Sequence, residues 1–178
     1  MDRLFTQPAS DATGAAAQLF TAIKGAIGKV PNAYLALGNN SPVALEAVLN
    51  LDGALRKSSL SAKDVEVIKL AISEEAGCDY CIAAHTMMGA KAGLSAEAMR
   101  AVRSGSAAGD ARIDALAAFA HTLASTSGTV PDHVVAAVKA AGVTDAQLAD
   151  TALAIAAITL TNLFNRINDT TVDFPAVV

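Results

Sequence analysis

Apolar residues recur every three or four positions along most of this chain, and that spacing predicts amphipathic α-helices. Leu19, Phe20, Ile23 and Ile27, for example, would share one face of a first helix. Residues suited to helix ends divide the pattern into segments. The predicted helices cover 14–27, 32–37, 42–55, 62–77, 78–92, 95–105, 110–125, 131–141 and 144–168.

The helix starts are marked by capping residues. Ser41 and Ser61 are suited to N-cap positions, with Pro42 as the first helical residue after Ser41. Thr144 and Gln147 have capping-box spacing. Alternating strand patterns and Asn-Gly or Asp-Gly hairpin turns are missing from the sequence, so the predicted fold class is all-α. We expect one domain over 1–178, with 1–12 as a flexible or interface arm.

Composition narrows the function classes. Hydrophobic residues make up 53% of the chain and charged residues 17%, a balance that excludes a disordered protein. The net charge of −4 and the lack of a basic run argue against nucleic-acid binding. So few charges on a small apolar chain favour a homo-oligomer, in which some apolar surface is covered.

The predicted location is the cytoplasm, without a membrane partner. No cationic segment followed by an apolar one opens the chain, so no secretory signal is expected. The most apolar stretch, 152–160, is shorter than the roughly 20 residues that span a bilayer, and it predicts a buried core helix. In the cytosol, a close cysteine pair is more often catalytic or metal-binding than structural.

Candidate chemistry is concentrated around the two cysteines of the chain, Cys78 and Cys81. On a helix that begins at Cys78, these residues lie three apart and His85 follows four later, so all three side chains share one face. A helix start stabilises a thiolate through its dipole and its unpaired N–H groups. His85 could support that thiolate as a cation or accept its proton as a base.

A fourth residue, Glu66, completes a recognisable pattern: Glu, eleven residues, Cys-x-x-Cys, three residues, His. This pattern resembles the signature of the alkylhydroperoxidase D (AhpD) branch of the carboxymuconolactone decarboxylase superfamily. The stretch 91–95 and the final helix, 161–169, are also similar to peroxidase-related members. The resemblance extends from about Pro31 to Pro175.

The resemblance implies a multi-helix AhpD-like fold with the cysteine pair at the start of a central helix. It also implies a homo-oligomer, commonly a trimer or a hexamer, and a thiol peroxidase that needs no cofactor. Cys81 would attack the peroxide, Cys78 would resolve the sulfenic acid to a disulfide, and Glu66 with His85 would form the proton relay. A lipoyl-bearing or thioredoxin-like dithiol protein would reduce the disulfide. Tyr80 stands where the best-known members carry a second His, and it is predicted to act as an auxiliary hydrogen-bond donor.

Other functions remain open at this stage. The pair could serve thiol–disulfide exchange or redox sensing with little peroxidase turnover, or it could be inert in an assembly protein. A structural zinc site would need a ligand beyond the two cysteines and His85, and His121 and His133 are not at ligand spacing, so no metal is predicted. Glu74 and Glu75 are expected to be solvated, His121 semi-buried and His133 exposed. Asn162, Asn165 and Asn168 would form a solvated or subunit-facing polar stripe.

Overall fold

The computed structural model describes residues 2–177, and within that range it contains nine α-helices and no β-strand. The all-α prediction is therefore confirmed. The helices are α1 Gly14–Ile27, α2 Asn32–Asn40, α3 Pro42–Leu55, α4 Ala62–Glu75, α5 Asp79–Lys91, α6 Ala96–Ser104, α7 Ala111–Ser125, α8 Asp132–Ala140 and α9 Asp145–Asn168.

The capping predictions are confirmed in detail. The Ser41 side chain accepts a hydrogen bond from the Ala44 N–H. Ser61 and Asp64 form a reciprocal capping box, as do Thr144 and Gln147. The largest boundary difference is in α2, which continues three residues beyond its predicted end and stops where Ser41 begins to cap α3.

Helix α4 lies at the centre of the fold, packed against α5, α6, α7 and α9. Nearly all of its side chains between 64 and 73 are buried, including the charged Glu66 and Lys69. A helix covered on every side shows weak amphipathic patterning because no face needs to be polar. Its polar residues must therefore find partners inside the protein.

The core consists of two apolar clusters. The larger one joins α4, α5, α7 and α9 around residues such as Val67, Ile68, Leu116 and Ile158. The smaller one joins α1, α2 and α3 around Phe20, Leu37 and Leu45. Tyr34 packs against both clusters, which makes α2 the connection between them.

The two ends of the chain meet at the C-terminus of α9. The Arg3 N–H donates to the Asn168 carbonyl at 2.8 Å, and the Leu4 N–H donates to Asn168 Oδ1 at 2.9 Å. The Asn40 side chain holds the Phe5 carbonyl at 2.7 Å. These contacts fix the described part of the predicted arm, whose first residue, Met1, lies outside the described residues. Its role at an interface stays a prediction.

Helix α9 is buried on one face only. By length and composition it could cross a membrane, and 28% of its most apolar window is buried in the structure. Long core helices of water-soluble proteins have the same length and composition, so this is weak evidence for a span. Its buried face packs against α2, α3, α4 and α5.

Candidate active site

The connection between α4 and α5 sets the position of the cysteine pair. After α4 ends, Gly77 adopts a left-handed conformation with φ of 61°. The Gly77 N–H then donates to the Glu74 carbonyl and the Cys78 N–H donates to the Ser73 carbonyl, at 2.9 and 3.0 Å. These two bonds form a Schellman motif, a common way to end a helix, and here it ends α4. Cys78 is thereby the N-cap of α5, and Cys81 lies in the first turn.

Both cysteines are reduced and buried. The hydrogen bond from the Cys81 thiol lowers the pKa of Cys78, and the Cys81 backbone N–H lowers it further against the opposing effect of burial. The same thiol bond, together with burial, raises the pKa of Cys81. Of the two thiols, Cys78 therefore loses its proton more readily than Cys81.

Glu66 on α4 and His85 on α5 form a buried pair. Glu66 Oε2 lies 2.7 Å from His85 Nδ1, and both side chains are about nine-tenths buried. A carboxylate at Nδ1 favours the tautomer that carries its proton there, which leaves Nε2 as the base. Periodicity alone could not predict this contact, because the two residues belong to different helices.

A cavity of about 930 Å³ opens onto these groups. Cys81, Glu66 and His85 line it, and among the described residues Cys78 is not part of the lining. Most of the wall is apolar and comes from α1, α3 and α5: Ala22, Ile23, Ala26, Ile27, Leu49, Leu55, Ala84, Met87 and Met88. Cys81 is thus the cysteine of the pair that a ligand in the cavity could reach, and the cavity has room for an organic molecule.

Part of the cavity wall is polar. Lys69 Nζ lies 2.9 Å from Asp52 Oδ1, and the Tyr34 hydroxyl donates to Asp52 Oδ2 at 3.1 Å. Burial and the nearby Asp52 carboxylate raise the pKa of Tyr34. The buried ammonium group of Lys69 is therefore paired with the Asp52 carboxylate in the cavity wall.

Tyr80 connects the site to the C-terminal segment. Its hydroxyl donates to Asp173 Oδ1 at 2.8 Å and accepts from the Ala33 N–H at 3.1 Å. Its ring meets Phe174 edge to face, with centroids 5.4 Å apart. Burial raises the pKa of Tyr80, as does its bond to Asp173. Both hydrogen-bonding functions of the phenol are thus occupied by the chain itself.

The asparagines of α9 are buried, so the predicted solvated stripe is wrong. Asn162, Asn165 and Asn168 are all less than 5% exposed, whereas Leu163 and Ile167 on the opposite face are at least half exposed. Asn165 Nδ2 lies 3.4 Å from Cys81 Sγ, and Asn168 holds the N-terminal arm. Asn165 Nδ2 and Asn168 find polar partners inside the protein, whereas neither amide atom of Asn162 has one among the described residues. The feature of the sequence that could have predicted this burial is the spacing of three asparagines, three residues apart, in an otherwise apolar helix.

The competing titratable residues have partners away from the cavity. Arg103 Nε lies 2.6 Å from Glu74 Oε2, and His121 Nδ1 lies 2.8 Å from Glu75 Oε1. His121 is partly buried and His133 is exposed, as predicted. Within residues 2–177, no three His, Cys, Asp or Glu side chains are grouped closely enough to hold a metal ion.

This chain is similar to known proteins in part of its sequence and in its fold. Residues 42–124, which include the α4–α5 site, match the model of the carboxymuconolactone decarboxylase family. No curated protein sequence gives a significant match.

Three solved structures are similar in fold. A peroxidase-related protein with an AhpD core from Ralstonia eutropha JMP134 is 22% identical, with a TM-score of 0.85 over 97% of this chain and 92% of that one. A candidate antioxidant-defence protein AhpD from Agrobacterium tumefaciens is 23% identical, with a TM-score of 0.70 over 77% and 95%. The debrominase Bmp8 is 17% identical, with a TM-score of 0.78 over 96% and 92%.

At these identities the structural likeness establishes the fold, and the family match covers the segment that carries Glu66, both cysteines and His85. Residues 42–124 are therefore similar to the carboxymuconolactone decarboxylase family, and the described chain has the fold of the AhpD-like proteins.

Proposed function

We propose that this protein is a thiol-dependent peroxidase that reduces hydrogen peroxide or organic hydroperoxides through a Cys78 and Cys81 redox cycle. The observation that carries the proposal is the buried pair of Glu66 and His85, 2.7 Å apart, in the wall of the same cavity that exposes Cys81. A base held by a carboxylate next to an accessible thiol is the arrangement that thiol activation requires.

The first half-reaction begins with the proton on Cys81. Because the thiol bond to Cys78 retains this proton, His85 has to accept it before Cys81 can react. The Cys81 thiolate attacks the terminal peroxide oxygen, the O–O bond breaks, and the leaving alkoxide takes the proton from His85 as an alcohol. Cys81 is then a sulfenic acid, oxidised by two electrons.

The second half-reaction closes the disulfide. Cys78, whose pKa is lowered, attacks the sulfenic sulfur as the S–O bond breaks, and the hydroxide leaves as water with the proton that Cys78 gives up. An external dithiol, from a lipoyl-bearing or thioredoxin-like protein, returns the pair to its reduced state by exchange. We also propose that the protein is cytoplasmic and forms a homo-oligomer of the trimeric or hexameric kind.

Thiol–disulfide exchange or redox sensing without peroxidase turnover is the alternative. The lowered pKa of Cys78 favours it, since a thiolate in a C-x-x-C pair is suited to exchange. The fully bonded Tyr80 hydroxyl also favours it, because no second imidazole stands between the cysteines.

Reductive dehalogenation is a second candidate reaction, favoured by the size and apolar lining of the cavity. The similar debrominase Bmp8 has been crystallised, as a cysteine-to-alanine variant, with 2,3,4-tribromopyrrole. Such a reaction would balance in the same way: a carbon–bromine bond becomes carbon–hydrogen, bromide leaves, and two thiols become a disulfide.

Stopped-flow oxidation of the reduced protein by one equivalent of cumene hydroperoxide tests the proposal. We expect rapid loss of two hydrogens, located by mass spectrometry in the peptide that holds Cys78 and Cys81. The Cys81→Ser variant should be unreactive. The Cys78→Ser variant should stop at a sulfenic acid on Cys81 that dimedone traps.

Consumption by the wild type that is no faster than by Cys81→Ser would overturn the proposal. Fast exchange with a dithiol but no reaction with the hydroperoxide would favour the exchange protein. Bromide release from 2,3,4-tribromopyrrole, again without hydroperoxide reaction, would favour dehalogenation. Stoichiometric zinc in the purified protein would contradict all three redox functions.

A further inference from the structure

Asn165 is placed by α9 at the point where the reactive sulfur meets the cavity. Its Nδ2 lies 3.4 Å from Cys81 Sγ, a contact within range for an N–H donor and a sulfur acceptor. The residue is 4% exposed and lines the cavity. Asn165 therefore contacts the Cys81 sulfur and also belongs to the wall of the cavity.

The other half of the same amide has no partner. Asn165 Oδ1 is buried and makes no hydrogen bond within the described part of the chain. An unpaired buried acceptor costs free energy, and buried amides are normally satisfied. An acceptor kept unpaired in a cavity wall is suited to a ligand that brings a donor.

We infer that Asn165 is a further catalytic residue of the proposed peroxidase, with its Nδ2–H stabilising the Cys81 thiolate and its Oδ1 accepting the O–H of the hydroperoxide. A hydroperoxide is the matching ligand class because it carries a single O–H donor on the oxygen that the thiolate attacks. One amide would thus hold nucleophile and electrophile together, and this inference rests on the proposed function.

The chemistry of the attack agrees with that role. When the Cys81 sulfur bonds to the terminal oxygen, the O–H stays on that oxygen and becomes the hydroxyl of the sulfenic acid. The alkoxide leaves with the proton that His85 has taken from Cys81. The amide neither gains nor loses a proton, so its contribution is orientation and electrostatic stabilisation. In the resting protein, Asn165 and Thr161 already act to lower the pKa of Cys81.

Asn162 provides a matched control one turn away. It is also a buried asparagine of α9, 1% exposed, and neither of its amide atoms has a hydrogen-bond partner within the described residues. It is not among the described residues that line the cavity. A change at Asn162 therefore alters a buried amide of the same helix without changing the contact to Cys81.

The first measurement is the pH dependence of Cys81 alkylation by iodoacetamide, in full-length protein that carries Cys78→Ser. We expect Asn165→Leu to raise the apparent pKa of Cys81 by about one unit, since a hydrogen bond to the thiolate is lost. Asn165→Asp should raise it further through charge repulsion, whereas Asn162→Leu should leave it unchanged. An unchanged pKa in both Asn165 variants would overturn the donor role. Thermal unfolding of each variant shows which of them is folded.

The second measurement is the rate of oxidation by tert-butyl hydroperoxide, divided by the thiolate fraction from the first. For Asn165→Leu we expect a further loss of about tenfold, the effect of one missing hydrogen bond. A corrected rate equal to that of Asn162→Leu would overturn the Oδ1 role and leave the proposed function intact. A wild type that does not react with the hydroperoxide would instead remove the proposed function and the Oδ1 role together, while alkylation still decides the donor role.

Discussion

At the scale of single residues, the part of the chain that the structure describes contains two carboxylate–imidazole pairs of similar geometry in different surroundings. Glu66 and His85 are buried at the cavity, 2.7 Å apart. Glu75 and His121 are more exposed, 2.8 Å apart. Only the first pair shares a cavity with Cys81 among the described residues. The contact between carboxylate and imidazole is similar in the two pairs. The proposed relay is distinguished by its location in the wall of the cavity that Cys81 lines.

Replacement of Glu66 by glutamine tests that distinction. Glutamine keeps the size of the side chain but carries no charge to support a protonated His85, so kcat/KM for cumene hydroperoxide should fall by about 10²–10⁴-fold. The matched Glu75→Gln variant should keep the wild-type rate. Steady-state kinetics with a dithiol reductant gives both values. Equal losses in the two variants, or none in Glu66→Gln, would contradict the relay.

Tyr80 offers a second test at this scale. Its hydroxyl is bonded to Asp173 and the Ala33 N–H, so Tyr80→Phe should loosen the C-terminal segment. We expect a loss of about 1–2 kcal/mol in the free energy of unfolding, measured by urea denaturation. An auxiliary proton donor would instead show itself in the pH profile of kcat. A changed profile at unchanged stability would support that auxiliary role.

At the scale of helices, the capping residues were strong predictors and the burial of polar residues was not predicted. Ser61 and Thr144 specify helix starts because their hydroxyls bond backbone groups three residues away. The contact of Glu66 with His85 depends on how α4 packs on α5, which local spacing does not encode. The prediction for the inward face of α9 is wrong because local spacing does not encode the tertiary contacts of that face, such as the one between Asn165 and Cys81.

The start of α4 also depends on a tertiary contact. Arg112 on α7 binds the Asp64 carboxylate through Nε and Nη2, both at 3.0 Å. Burial opposes the charged form, but the bonds from Arg112 and Ser61 outweigh it and hold the pKa of Asp64 below its usual value. The capping residue of α4 thereby joins α4 to α7.

This pair predicts how stability depends on pH. Since the folded-state pKa of Asp64 is lower than its unfolded value near 4, its contribution is complete above about pH 5 and is lost as the pH falls through the folded pKa. Asp64→Asn should cost about 1–3 kcal/mol at pH 7, and this deficit should shrink towards pH 3. Urea unfolding at several pH values measures it. The exposed Asp132, in the first turn of α8, provides the control Asp132→Asn, and an equal pH dependence in both variants would contradict the assignment.

At the scale of the whole molecule, the cavity lies where the two apolar clusters meet. Ile23 of the smaller cluster and Leu55, Leu60 and Cys81 of the larger one all line it. Helix α1 thus forms part of the wall of the cavity that the reactive sulfur also lines. A cavity of about 930 Å³ is far larger than hydrogen peroxide needs and is in the range of sites that bind organic ligands.

The proposed peroxidase should therefore prefer bulky hydroperoxides, and α1 should control that preference. Ala26 lines the cavity from an exposed position, so Ala26→Trp would narrow the space without filling a packed core. We expect kcat/KM for cumene hydroperoxide to fall by about tenfold or more, while the value for hydrogen peroxide stays within about twofold. Ala15→Trp, at an exposed position of α1 away from the cavity, should change neither. A parallel loss for both peroxides in Ala26→Trp would mean that the cavity serves access in general rather than selection of substrates by size.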